Sequence, residues 1–275
     1  MLRRLLWCCA IAFANLSQAD WLTIAPVVIE IATPRKPVAV KVTNDSDRLV
    51  TFQLDAAIWQ QVDGNDVYAP SDDLLLSPSI LNIPPRKSQT FRVLLRDGLP
   101  SPMERTYRVM VEDISEATTQ TDAAEVAFKF THNLPVLVAP SGKITHAMQW
   151  RPCPHNKPSD SSDHSLLAAA ATVATVVKSA NTDVVKPDNT PALDACVRLL
   201  NSGNRRVKVQ KLILSGDGWQ KSLSLKAGYN ILVGAEREWH IPLPQAQPHA
   251  HRNSIRQVSV HTAEGGVLTA ESDGR

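Results

Sequence analysis

The 275-residue sequence is poor in cysteine, with 4, and nearly free of net charge, with 29 Lys and Arg against 27 Asp and Glu for a balance of +2. A balance this close to neutral gives no basic surface for nucleic acid. No stretch approaches the ~20 consecutive apolar residues that a membrane-spanning helix needs, so stable membrane insertion is not expected. Also missing are a Gly-x-Ser-x-Gly nucleophile elbow, a phosphate-cradling glycine loop and a Cys-x-x-Cys pair. Their absence removes the sequence signatures of serine hydrolases, nucleotide-binding P-loops and thioredoxin-type redox centres. No enzymatic activity, cofactor or catalytic metal is expected.

What is present begins with a leader. Arg3 and Arg4, an apolar run from Leu5 to Ala14, and Ser17-Gln18-Ala19 form the basic, apolar and small-x-small regions of a secretory signal over residues 1–19. Asp20 is then the first mature residue, and the product is exported. Cys8 and Cys9 fall inside the leader, and Trp7 before Cys8 does not supply the small residue of a lipidation site. The mature chain retains Cys153 and Cys196. An even count in an oxidising compartment reads as one possible disulfide, with two buried thiols as the alternative.

Nineteen prolines and 11 glycines set between short apolar runs argue for an all-β architecture. From Leu22 to Pro140 strands and turn signals alternate at the spacing of an immunoglobulin-like sandwich. Val38, Val40 and Val42 alternate with Ala39 and Lys41 before the turn Asn44-Asp45-Ser46-Asp47. Thr51 to Trp59 reads as a strand ended by Asp63-Gly64-Asn65. Gln89 to Leu95 is another, as is Thr106 to Glu112 with Tyr107, Val109 and Val111 inward. The hinge is placed near Pro140-Ser141-Gly142, giving a first domain over 20–140 and a second over 141–275.

The second domain is interrupted. Residues 151–193, rich in proline, serine and aspartate, read as an irregular insertion in which Leu166 to Lys178 can form a short helix. Beyond Cys196 the β-pattern returns in Val197 to Leu200, Val207 to Leu214, Ser222 to Leu225, Tyr229 to Val233, Glu238 to Ile241 and Gln257 to His261. Asn201-Ser202-Gly203-Asn204 and Ala263-Glu264-Gly265-Gly266 read as hairpin turns. The fold class is therefore all-β, two immunoglobulin-like sandwiches with an irregular or partly helical insertion in the second.

Three groups of residues are candidate sites. His249, His251 and His240 lack the spacing of a helical zinc motif, and no Cys-x-x-Cys partners them, so no metal is expected there. Trp59, Tyr107 and Trp219 could stack on a sugar, but the first two lie in apolar strands and read as core. The segment from Ala124 to Pro140 is the most distinctive. Val126, Phe128, Phe130, Leu134, Val136 and Val138 share one parity, which makes a long strand with a single apolar face. Pro135 cannot donate to a ladder, so this strand is read as a sheet edge, open to another chain.

An ordered set of motifs covers almost all of Leu22 to Pro140. It comprises Ala25-Pro26-Val27-Val28-Ile29, Val42-Thr43-Asn44, Trp59, Asp63-Gly64, Ser77-Pro78-Ser79-Ile80, Ile83-Pro84, Gln89-Thr90-Phe91-Arg92-Val93, Glu104-Arg105-Thr106-Tyr107-Arg108-Val109 and Leu134-Pro135-Val136. This set resembles the periplasmic pilus and fimbrial assembly chaperones, in particular the branch serving spore-coat-U-like, archaic pili. Arg198 to Asn204, Tyr229 to Gly234 and Trp239 are also similar to that branch, whereas the insertion is not.

The resemblance implies two immunoglobulin-like domains at an angle, a periplasmic location, pilus subunits as clients and an outer-membrane usher as recipient. It implies that Val126, Phe128 and Phe130 enter the subunit's groove, with His132 and Asn133 beside them. Typical members grip the subunit's terminal carboxylate with an arginine and a lysine. Here the matching positions hold Val27 and His132 or Asn133, leaving Arg35 or Lys129 as possible substitutes. Glu104 keeps the acidic member of the family's interdomain ion pair, while the position of its arginine reads Ala139. The alternative reading is a secreted two-sandwich adhesin or carbohydrate-binding module.

Overall fold

The structure, a computed structural model, describes residues 21–115, 130–153, 194–242 and 255–273. The leader, the insertion from 154 to 193, including Leu166 to Lys178, and His249 and His251 lie outside the described residues. Those described form strands and connections without a helix. The chain divides into two compact units. One holds the described residues up to Ile58 together with Ala69–Leu99 and Tyr107–Val138, and the other holds Trp59–Tyr68, Pro100–Thr106 and Ala139–Arg275.

In the first unit two sheets face each other. β1 (Leu22–Ala25), β3 (Val38–Asn44), β8 (Ser88–Leu95) and β6 (Leu74–Ser77) make one sheet in the order β1-β3-β8-β6. The other runs β2-β10-β9-β4-β5, from β2 (Ile29–Ile31), β10 (Thr131–Val138), β9 (Arg105–Asp113), β4 (Val50–Val62) and β5 (Asn65–Pro70), with β7 (Ile80–Ile83) also on β4. Period-two alternation puts Val40, Val42, Phe52, Leu54, Phe91, Val93, Val109 and Val111 into a common core, each at most 3% exposed. Tyr107 belongs to it at 3% exposure, and its hydroxyl donates to Asp73 Oδ2 at 3.1 Å. Asp63 and Gly64, with φ of 50° and 78°, form the tight turn from β4 to β5. Positive φ at both positions is what a two-residue turn matched to strand twist requires.

The second unit contains seven strands in one hydrogen-bonded path, β14-β13-β16-β17-β11-β12-β15. These are β11 (Met148–Pro152), β12 (Asp194–Asn201), β13 (Val207–Gly216), β14 (Trp219–Ile231), β15 (Glu236–Pro242), β16 (Ile255–Thr262) and β17 (Val267–Ser272). Val197, Leu199, Val209, Leu212, Leu214, Val258 and Val260 are fully buried. Trp219 is 6% exposed, so it is packed like Trp59, which is 2% exposed.

Two local expectations are corrected. Asn201 to Asn204 is not a hairpin turn, because β12 pairs with β11 and β15 while β13 pairs with β14 and β16. Buried Asn201 ties this crossover turn to the protein interior, a long-range role that local turn chemistry does not reveal. The strands expected at Ser222 to Leu225 and Tyr229 to Val233 are one strand, β14. A register shift opposite Val209 and Lys211 absorbs the residues around Gly228, so the ladder resumes beyond the irregularity.

Candidate strand-binding edge

Strand β10 lies beside β9, with the Asp113 N–H donating to the Phe130 carbonyl at 3.0 Å and the Arg108 guanidinium reaching the Asn133 carbonyl at 3.4 Å. Its other side is divided. β2 pairs in parallel with Val136–Val138, residue for residue with Ile29–Ile31. This corrects the reading of the whole segment as a free edge. The short strand before Thr33 supplies the second neighbour to the apolar end, where Val136 and Val138 are at most 1% exposed. Over Thr131–Pro135 that register does not continue, and the ladder is one-sided among the described residues. Pro135, which has no N–H to offer, stands where the pairing begins.

The open half ends in an aromatic group. The Trp21 ring stacks on Phe52 at 6.1 Å and meets Phe130 at 5.9 Å and His132 at 6.5 Å between centroids. Phe52 is fully buried, whereas Phe130 is 49% exposed. An aromatic ring packed on Trp21 on one side and facing solvent on the other keeps about half of its area available to a partner. His132 Nε2 is buried and has no hydrogen-bond partner among the described residues, while Asn133 is exposed. Val126, Phe128 and Lys129 lie outside the described residues. Val27 is 64% exposed and neighbouring Val28 40%, so the position where a cation would sit carries bare aliphatic surface.

The second unit contains polar residues whose partners sequence reasoning missed. The Glu104 carboxylate, whose side chain is 1% exposed, accepts from the Arg206 guanidinium at 2.8 Å and the Arg206 amide at 3.0 Å, with Arg205 3.6 Å away. These arginines, not the residue at position 139, neutralise it. The sequence signal was available in Arg205-Arg206 directly after the Asn201 turn. Arg237 lies 3.6 Å over the Tyr229 ring and 5.2 Å from that of Trp239, and it donates to the Gly64 carbonyl at 3.1 Å. Burial raises the Tyr229 phenol pKa, against the opposing pull of the Arg237 charge.

Cys153 and Cys196 form a disulfide with Cα atoms 5.5 Å apart, at the foot of the insertion.

Residues 21–143 match the family model described as pili and flagellar-assembly chaperone, PapD N-terminal domain. This stretch is therefore similar in sequence to the N-terminal domain of the pilus-assembly chaperones. Solved structures of pilus chaperones share the two-unit immunoglobulin-like fold across nearly the whole chain. The CsuC–CsuE chaperone–tip adhesion subunit complex from archaic chaperone-usher Csu pili of Acinetobacter baumannii matches with a TM-score of 0.59 and 15% identity, covering 91% of this chain and 98% of that one. The class 5 fimbriae chaperone CfaA matches at 0.57 and 12% identity, over 92% and 100% of the two chains. A chain from the CFA/I fimbriae chaperone–tip adhesin complex matches at 0.52 and 12%, over 90% and 98%. At these identities the likeness is one of fold. No curated protein matches the sequence.

Proposed function

We propose that this chain is a pilus-assembly chaperone that acts without catalysis in the periplasm, capping a pilus subunit by lending it β10 as a missing strand and then yielding it to an outer-membrane usher. The observation that carries this reading is the half-paired β10. Its open stretch Thr131–Pro135 leads directly from exposed Phe130 and is rooted at the other end in a core shared with β2. Strand addition needs such a combination, in which backbone bonding supplies pairing and alternate side chains fill the partner's pockets. Burying Phe130 and its parity mates contributes roughly 1.5–3 kcal/mol for each fully covered side chain before ordering costs. The domains serving this role are those bounded at 20–140 and 141–275.

The subunit-binding residues on this reading are Val126, Phe128, Phe130, His132 and Asn133. The CsuC–CsuE relative supports a subunit client, since it is described as a chaperone–tip adhesion subunit pre-assembly complex. The carbohydrate-binding alternative loses its platform, because Trp59, Tyr107 and Trp219 are at most 6% exposed. Co-purification with a subunit encoded beside this gene tests the proposal. Phe128→Glu with Phe130→Glu is expected to abolish capture while leaving far-UV circular dichroism unchanged; retained capture contradicts strand donation.

A further inference from the structure

The outward face shared by β11, β12 and β15 carries a chemistry that strand donation does not use. Cys196 on β12 stands directly opposite His240 on β15, and Glu238 lies two residues away on the same face. Cys153 follows the end of β11, and its amide donates to the Cys196 carbonyl at 3.3 Å. Cys196 Sγ is 3.6 Å from His240 Nε2 and 3.5 Å from Glu238 Oε1, and these two atoms are 3.0 Å apart. A disulfide sulfur carries no proton, so the contacts to sulfur are not hydrogen bonds donated by a thiol. The ligating atoms of Cys153, Cys196 and Glu238 all lie within 4.8 Å of one another, while His240 joins this group through Cys196 and Glu238 and stands farther from Cys153.

Those separations have a meaning. With Zn–S of about 2.3 Å and Zn–N or Zn–O of about 2.0–2.1 Å, a tetrahedron has S···N and S···O edges of about 3.5–3.6 Å and an N···O edge of about 3.4 Å. The two edges from Cys196 already match, the His–Glu edge must open by a few tenths of an ångström, and Cys153, freed from Cys196, must swing toward His240 to complete the set. Once the disulfide is cleaved, its sulfurs must part to about 3.8 Å, the edge that two zinc thiolates span.

We propose that, with the disulfide reduced, Cys153, Cys196, His240 and Glu238 hold one divalent cation of the zinc class, so that the foot of the insertion is clasped either by a disulfide or by a metal.

The surroundings suit this exchange. Glu238 turns its Oε2 to the Arg198 guanidinium at 3.0 Å, leaving Oε1 on the sulfur side. Two thiolates, one carboxylate and a divalent cation sum to one negative charge, which Arg198 offsets from the outer shell. The His240 side chain is 50% exposed, giving an entry path, while Cys196 is 4% exposed. Opening the clasp needs a two-electron reductant. A phosphine takes up the oxygen of one water to become its oxide, and the sulfurs gain two electrons and two protons as thiols. Metal binding then releases both thiol protons.

The test is titration of the full chain with Co²⁺ under anaerobic conditions, before and after phosphine reduction. One equivalent is expected to bind only the reduced chain, with thiolate-to-cobalt charge-transfer absorption and tetrahedral d–d bands that Zn²⁺ abolishes. His240→Ala, which keeps both cysteines, is expected to weaken binding at least about tenfold. Cys153→Ser with Cys196→Ser is expected to remove the charge-transfer band. The proposal is overturned if the reduced chain binds Co²⁺ no more tightly than the double serine variant, if the oxidised chain binds equally well, or if His240→Ala leaves affinity unchanged.

Discussion

Asn44 in the first unit and Asn201 in the second each end a strand, are fully buried, and use the amide in the same way. Asn44 accepts from the Ser46 amide at 3.0 Å and donates to the carbonyls of Arg48 at 2.7 Å and Ile83 at 2.9 Å. Asn201 accepts from the Gly203 amide at 3.0 Å and donates to those of Arg205 at 2.9 Å and Ile231 at 3.0 Å. The offsets of two and four residues repeat, and a long-range carbonyl completes each set, joined in the first by that of Pro84 at 3.2 Å. In the second copy position 203 must be glycine, since a Cβ there would collide with the Thr145 carbonyl. Two units with one corner device then part company at their other polar groups and their edges. The first buries Asp113, which its own turn satisfies through the Ser115 amide, and leaves half of β10 one-sided. The second buries Glu104 against arginines and closes its insertion with a disulfide. The shared corner is thus a requirement of the fold, and the differences are where function is to be sought.

The largest effect expected from perturbing this contrast is at Glu104. Glu104→Gln removes the carboxylate 2.8 Å from the Arg206 guanidinium, whose side chain is 13% exposed. Loss of one partner from such a pair costs about 3 kcal/mol, read as a lowered denaturation midpoint of the second unit. The exposed Asp217–Arg256 pair is the control, with side chains 69% and 72% exposed, and Asp217→Asn is expected to leave the midpoint unchanged.

Next come the corners. Asn44→Ala and Asn201→Ala each strand buried carbonyls and an amide, costing about 2 kcal/mol. Hydrogen exchange is expected to show each loss first in the unit that carries the substitution. A loss spread evenly over both would mean that the corners do not act locally.

Much of this contrast was legible in the chain, and for identifiable reasons. Val40, Val42, Phe91, Val93, Val109 and Val111 reveal their inward faces because period-two alternation is a local property of a one-sided strand. The parity of Leu134, Val136 and Val138 was readable in the same way. The coverage of Val136–Val138 was not, because β2 is only 3 residues long and pairs across more than 100 positions of sequence. Likewise Asn201 looked like a turn former, and only the sheet order shows that its turn crosses over. Cysteine spacing in sequence could not bring His240 and Glu238 to Cys196, since strand register does that.

The smallest expected effect concerns Glu238. Burial raises its carboxyl pKa, but hydrogen bonds and charge from Arg198 and His240 outweigh this and hold it below the ordinary range. A depressed folded-state pKa contributes stability above the unfolded value, near 4.3, that is lost as pH falls through the folded one. Glu238→Gln is therefore expected to destabilise the second unit by about 0.5 kcal/mol at pH 7, discounted for its partial exposure. The difference should shrink below pH 4, measured by urea titration at each pH.

The central claim is that the unpaired half of β10 accepts a guest strand. Amide hydrogen exchange over Thr131 to Leu134 tests it most directly, measured with and without a pilus subunit whose own sandwich is incomplete. The account predicts new protection there on binding, with Val136–Val138 already protected in the free protein. Binding that leaves the exchange of Thr131 to Leu134 unchanged would contradict it.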